Sequence, residues 1–173
     1  HGDIVLVNGT HNAFFEAETR RLRLRILNGS NARTYLFAFD DDREFNQIAS
    51  DGGLLEQPVE MNSLELAPAE RAEIIVELAP ADQLKLVSLG LSNSFPEFVG
   101  AMSEMMRELN TQRFDILQIN SGQDLRENAQ VPEQLNSIYR LPEAAATNTR
   151  EFLLSMGAGM RSGEDRGPGR GMR

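Results

Sequence analysis

The 173-residue sequence contains no cysteine and no tryptophan, and its only histidines are His1 and His11. Without a thiol there is no disulfide frame, no thiolate nucleophile, no thiolate zinc site and no sulfur anion for blue copper. With two imidazoles, a metal centre that needs three cannot be assembled from one copy of the chain. No apolar run approaches the roughly 20 residues with which a helix crosses a bilayer, and His1-Gly2-Asp3-Ile4 has none of the features of a signal peptide. A segment of a longer precursor would have left any export signal behind, so this start does not assign a compartment. Basic residues are also scarce: 17 stand against 26 acidic ones, and the formal charge of −9 is the wrong sign for holding phosphate backbones. Hydrophobic residues at 40% and charged residues at 25% are ordinary globular values, so most of the chain is expected to fold around one core.

What is present is a succession of short strand patterns. Ile4 to Val7 is an apolar run ending in the turn Asn8-Gly9-Thr10. Arg21 to Ile26 alternates strictly, placing Leu22, Leu24 and Ile26 on one face and three arginines on the other. After the turn Asn28-Gly29-Ser30-Asn31, residues Tyr35, Phe37 and Phe39 recur at period two and are expected to point inward. Phe45 to Ile48, Leu64 to Leu66, Ala72 to Leu78 and Leu84 to Leu89 follow, separated by Asp40-Asp41-Asp42, Asp51-Gly52-Gly53 and Pro68. Strands at about ten-residue spacing with glycine or proline turns predict an all-β sandwich or barrel. One short helix is expected over Glu97 to Leu109, where Phe98, Met102, Met105, Met106 and Leu109 fall at three- and four-residue spacings. Phe114 to Ile119 returns to strand character. Beyond Gly122 the pattern thins into a polar stretch with Pro132 and Pro142, which reads as a connector. Arg150 to Met156 looks like a new strand, followed by a tail with six glycines and four arginines.

Several of these segments, in this order, resemble the second domain of three-domain bacterial multicopper oxidases of the copper-efflux oxidase, bilirubin oxidase and spore-coat laccase type. Gly2-Asp3 with Val5 to Gly9 resembles the start of that domain, and Leu22 to Arg33 resembles its arginine-leucine strand and turn. Ile48 to Leu55 with Pro58-Val59 is similar to the hairpin that follows. Leu66 to Ile74 is similar to its proline and glutamate-arginine turn, with Ala69 where a glycine is common. The matches span Gly2 to about Leu78. Glu151 to Met156 is similar to the first strand of the third domain.

The resemblance implies a cupredoxin-like Greek-key domain over residues 1–122, an interdomain linker over 123–149, and the beginning of the third domain with a Gly/Arg/Met tail over 150–173. It implies a structural, non-catalytic middle domain without copper of its own. The copper would lie in a full-length parent that couples one-electron oxidation of Cu(I) or a phenolic reductant to reduction of dioxygen. The expected partners are the first and third domains of the same polypeptide, with self-association through the exposed interdomain faces and no role for nucleic acid or membrane. The family also points to a periplasmic or cell-surface location, with a cytoplasmic one left open. The alternative is a copper-free relative of the same fold that acts in cell division or as a binding scaffold.

Individual residues admit plainer readings. His11 sits in a polar turn beside Asn12, where a solvated imidazole is expected rather than a ligand. Met102, Met105 and Met106 offer thioethers, but their helical spacing fits packing. Met156 and Met160 stand where some copper-efflux relatives carry a methionine-rich insertion, and make candidate Cu(I) contacts, against the plainer reading of a Gly/Arg loop that merely contains them. Asp51 and Arg71 read as a turn-stabilising ion pair rather than a catalytic pair. Asn8-Gly9-Thr10 and Asn28-Gly29-Ser30 match the glycosylation sequon but are better explained as turns.

Overall fold

The computed structural model describes Gly2, residues 4–91 and residues 111–152. The helix expected over Glu97 to Leu109, with Met102, Met105 and Met106, lies outside the described residues, as do His1, Met156 and Met160. The chain divides into two compact units, one ending at Ile138 and the other beginning at Tyr139.

The described residues of the first unit form a two-sheet sandwich of nine strands. They are β1 (Phe14–Thr19), β2 (Arg21–Leu27), β3 (Tyr35–Phe39), β4 (Phe45–Ser50), β5 (Gly53–Met61), β6 (Ser63–Leu66), β7 (Arg71–Glu77), β8 (Gln83–Leu89) and β9 (Phe114–Arg126). One sheet has the order β1-β9-β8-β3-β6, the other β2-β7-β4-β5. Every pairing is antiparallel except β1 with β9. Successive strands repeatedly change sheet, as in the expected Greek-key arrangement.

The alternating sequences account for the core. In β2 the arginines face out while Leu22, Leu24 and Ile26 are half-buried, and in β7 Ala72, Ile74 and Val76 are buried. These meet Phe37, Phe39, Leu64, Leu66, Leu84, Leu86 and Ile119, with Phe45 packing edge-on against Phe39 at a centroid distance of 5.6 Å. Burying each such side chain contributes about 1.5–3 kcal/mol, so the inward period-two positions carry the fold.

Two elements depart from the sequence pattern. Among the described residues the run Ile4 to Val7 joins neither sheet: Val7 pairs with Thr10, through two 2.9 Å backbone bonds across a turn in which Asn8 and Gly9 have φ of 50° and 81°. Such positive φ values suit a tight two-residue turn. Strand β1 was not legible, because only Ala17 among its six residues is buried and both phenylalanines are exposed. It forms by parallel pairing with β9, a contact more than 100 residues away in sequence. Strand β9 itself runs on to Arg126, into the polar stretch that reads as connector.

The second unit's described residues carry a single 3₁₀ turn, Glu143–Ala145. Tyr139, Leu141 and Phe152 within it are exposed. Arg150, Glu151 and Phe152, the described part of the expected final strand, are not in a strand.

Candidate interdomain face

The turn after β2 is organised by Asn28, which is 1% exposed. Its Nδ2 donates to the carbonyls of Arg33 at 2.8 Å and Leu66 at 2.9 Å, and its Oδ1 accepts the Ser30 N–H at 3.0 Å and the Ser30 hydroxyl at 2.7 Å. One buried carboxamide thus ties the β2–β3 turn to the end of β6 and satisfies main-chain groups that burial would otherwise orphan. Such burial also fits the Asn28 sequon being a turn.

The turn in its turn positions Arg33. This buried guanidinium donates through Nη2 to the carbonyl of Gly2 at 2.8 Å and lies 4.6 Å from the Phe114 ring centroid. A cation over a ring face in a desolvated place is attracted by the ring quadrupole. Tyr35 completes the group, edge-on to Phe114 at 6.4 Å and tilted against Phe37 at 5.5 Å. Burial pushes the Tyr35 phenol above its ordinary value, and nearby Arg33 offsets this only in part. The cluster holds the leading segment against the sandwich.

Between that segment and the strands lies an open groove of about 860 Å³. Ile4, Leu6, Phe14, Phe15 and Leu27 line it and are all exposed, Ile4 at 62% and Phe14 at 69%. Five large apolar side chains left in water along one groove form a contiguous patch of the kind that marks an interaction surface. Scattered single residues would not need such an explanation. On the opposite edge of the other sheet, Leu54 and Val59 of β5 are also exposed.

The residues singled out for chemistry do not converge. His11 is exposed in a turn next to Asn12, whose φ is 52°. Asp51 accepts the Arg71 N–H at 2.9 Å through Oδ1, and the Arg71 guanidinium returns to the same carboxylate at 3.3 Å, both side chains being exposed. This ties the β4–β5 turn to the start of β7, the structural role expected of the pair. Ala69 has a φ of 73°, in the region where glycine is at ease. Among the described residues no three His, Cys, Asp or Glu side chains gather to hold a metal. No cysteine exists in the chain at all. The donor set of this chain therefore does not fit a blue-copper site or an imidazole-rich cluster.

The family model for multicopper oxidases matches residues 2–93. A laccase of Bacillus subtilis is 49% identical over 76 residues, covering 44% of this chain and 15% of the laccase. The cell division protein FtsP of Pectobacterium atrosepticum is 44% identical over 87 residues, covering 50% of this chain and 18% of that protein. The crystal structure of the McoA multicopper oxidase of Aquifex aeolicus superimposes with a TM-score of 0.70 at 28% identity, covering 84% of this chain and 30% of McoA. The chain thus spans less than a fifth of the length of these two curated relatives.

Proposed function

The chain belongs to the multicopper oxidase family, and from that premise we propose that it serves as the structural middle domain of a larger oxidase. One observation carries this reading. The chain has the sandwich of a family defined by copper chemistry, yet lacks the thiolate and all but two of the imidazoles that such chemistry requires. The family implies copper in the full-length parent. There the metal would take single electrons from a reductant such as Cu(I) or a phenol and pass them to dioxygen, held by ligands outside this chain. Residues 1–122 would be the cupredoxin-like body, 123–149 the linker and 150–173 the beginning of the third domain with its tail. Met156 and Met160 in that tail are the candidate Cu(I) contacts, and a Cu(I) titration that leaves their methyl resonances unmoved would remove them from consideration.

The groove lined by Ile4, Leu6, Phe14, Phe15 and Leu27 is the face proposed to meet a flanking domain. Its apolar area costs solubility unless covered, which is what an interdomain contact provides. The same surface is expected to drive self-association when uncovered. A chain that stays strictly monomeric at high concentration in sedimentation equilibrium would count against it. A periplasmic or cell-surface setting accompanies the proposal.

The similarity to a cell division protein at 44% identity supports a second reading, a copper-free scaffold of the same architecture. The parent distinguishes the two. An oxidase carries His-X-His pairs and a His-Cys-His run beside this segment, absorbs strongly in the red when loaded with copper, and consumes oxygen. A scaffold does none of these.

A further inference from the structure

The polypeptide leaving β9 is fastened at both edges of the four-stranded sheet. Strand β2 is one edge of that sheet, and at its first residue the main chain is met by Asn128. Asn128 Oδ1 accepts the Arg21 N–H at 3.0 Å, while its Nδ2 donates to the Arg21 carbonyl at 2.8 Å. A carboxamide is a peptide group in miniature, so this two-point contact occupies an edge position as one residue of a neighbouring strand would.

Arg21 reciprocates. Its Nη1 donates to the Asn128 carbonyl at 2.9 Å and its Nε to Glu77 at 2.8 Å, with Glu127 3.5 Å away. Although it lies on the outward-facing side of β2, Arg21 is only 9% exposed, which distinguishes it from exposed Arg23 and Arg25 on the same face.

At the other edge, the N–H groups of Leu135 and Asn136 donate to the Glu56 carbonyl at 2.9 and 3.4 Å. Glu56 lies in a bulge. Between the pairs Gln47–Val59 and Ala49–Leu54, β4 advances two residues (49 − 47) while β5 advances five (59 − 54). Three residues of β5 are thus in excess of the ladder. The distance can be bridged: three interstrand spacings amount to roughly 14 Å. Seven residues, from Asn128 to Leu135, reach up to about 24 Å.

We propose that residues 127–136 form a strap closed by the Asn128 latch on Arg21. The strap moves the point at which the chain is released from the sandwich, from the end of β9 to the far edge beside β5. In a parent oxidase it would fix where the segment leading to the next domain departs, and that consequence alone rests on the function proposed above.

The test is amide hydrogen exchange, resolved by residue, on the full 173-residue chain and its Asn128→Ala variant. Asn128 is exposed, so the substitution leaves the core intact, and the Ile74 amide serves as an internal reference. The strap predicts that Leu135 and Asn136, on the opposite edge, exchange about tenfold faster in the variant while Ile74 is unchanged. Acceleration confined to Arg21, or a uniform acceleration that includes Ile74, overturns the latch. Because the readout involves no metal and no parent, failure here leaves the middle-domain reading standing, and failure of that reading leaves the latch untouched.

Discussion

Replacing Asn28 by alanine should destabilise the sandwich by about 3 kcal/mol, because an unsatisfied buried polar group costs roughly 1–3 kcal/mol and more than one is created. The side chain removed makes four hydrogen bonds, to the Arg33 and Leu66 carbonyls and to the Ser30 N–H and hydroxyl. The single proton of the Ser30 hydroxyl lies within reach of both Asn28 Oδ1 and the Arg33 carbonyl, and without Asn28 it turns to that carbonyl at 2.7 Å, so the loss falls mainly on Leu66 and the Ser30 N–H. Asn28→Asp separates hydrogen bonding from volume. It keeps the acceptor for Ser30 but turns a carboxylate oxygen toward two carbonyls in a site 1% exposed. At neutral pH this variant should be at least as unstable as the alanine one, and it should recover partly in acid, where a protonated carboxyl can donate again. Urea denaturation followed by far-ultraviolet circular dichroism gives the midpoint, and an unchanged slope shows that stability rather than compactness moved. A loss below about 1 kcal/mol in both variants would refute the view that this carboxamide organises the turn.

Three further outcomes are expected. A Cβ on Gly90 would stand 2.1 Å from the Thr111 carbonyl oxygen, and backbone cannot yield as a flexible side chain can, so Gly90→Ala should cost at least about 2 kcal/mol in the same urea titration. Ala69→Gly should raise stability by up to about 1 kcal/mol or leave it unchanged, since relief at a φ of 73° competes with glycine's greater freedom when unfolded. A hydrogen bond from Arg43 holds the Asp41 carboxyl below its ordinary value. Burial opposes the charge on Arg43, but its bonds to Asp41 and Asp82 outweigh that and hold it above its own. Asp41 therefore contributes stability that is fully present above the ordinary carboxylate range and is lost as pH falls through its depressed value. For so exposed a pair the contribution is a few tenths of a kcal/mol, and Arg43→Met should flatten that part of the acid limb.

How much of this was legible in the sequence depended on burial. Where a strand has one wet and one dry face, as β2 and β7 do, period two wrote itself into the residues, and the all-β fold followed. Strand β1 left no such trace, because with only Ala17 buried it is selected by parallel pairing to a distant partner rather than by a local pattern. The run Ile4 to Val7 misled for the opposite reason: its apolar side chains line a groove instead of a sheet. That the chain holds too few thiolates and imidazoles for a blue-copper site or an imidazole-rich cluster required only counting cysteines and histidines. The exposed apolar groove was not legible residue by residue, since Phe14 and Leu27 are indistinguishable in sequence from core residues until the strands are placed. Ala69 stands where the resembled turn commonly has glycine, and its positive φ supplies the physical reason for that preference.

The central claim is that this chain supports copper chemistry without holding the copper. Its most direct test is the copper content of the purified chain after loading with Cu(II) and exhaustive dialysis, measured by atomic absorption alongside the visible spectrum. Far less than one copper per chain, with no intense absorption in the red, is the predicted result. One or more tightly retained ions per monomeric chain, with a blue-copper band or not, would contradict it.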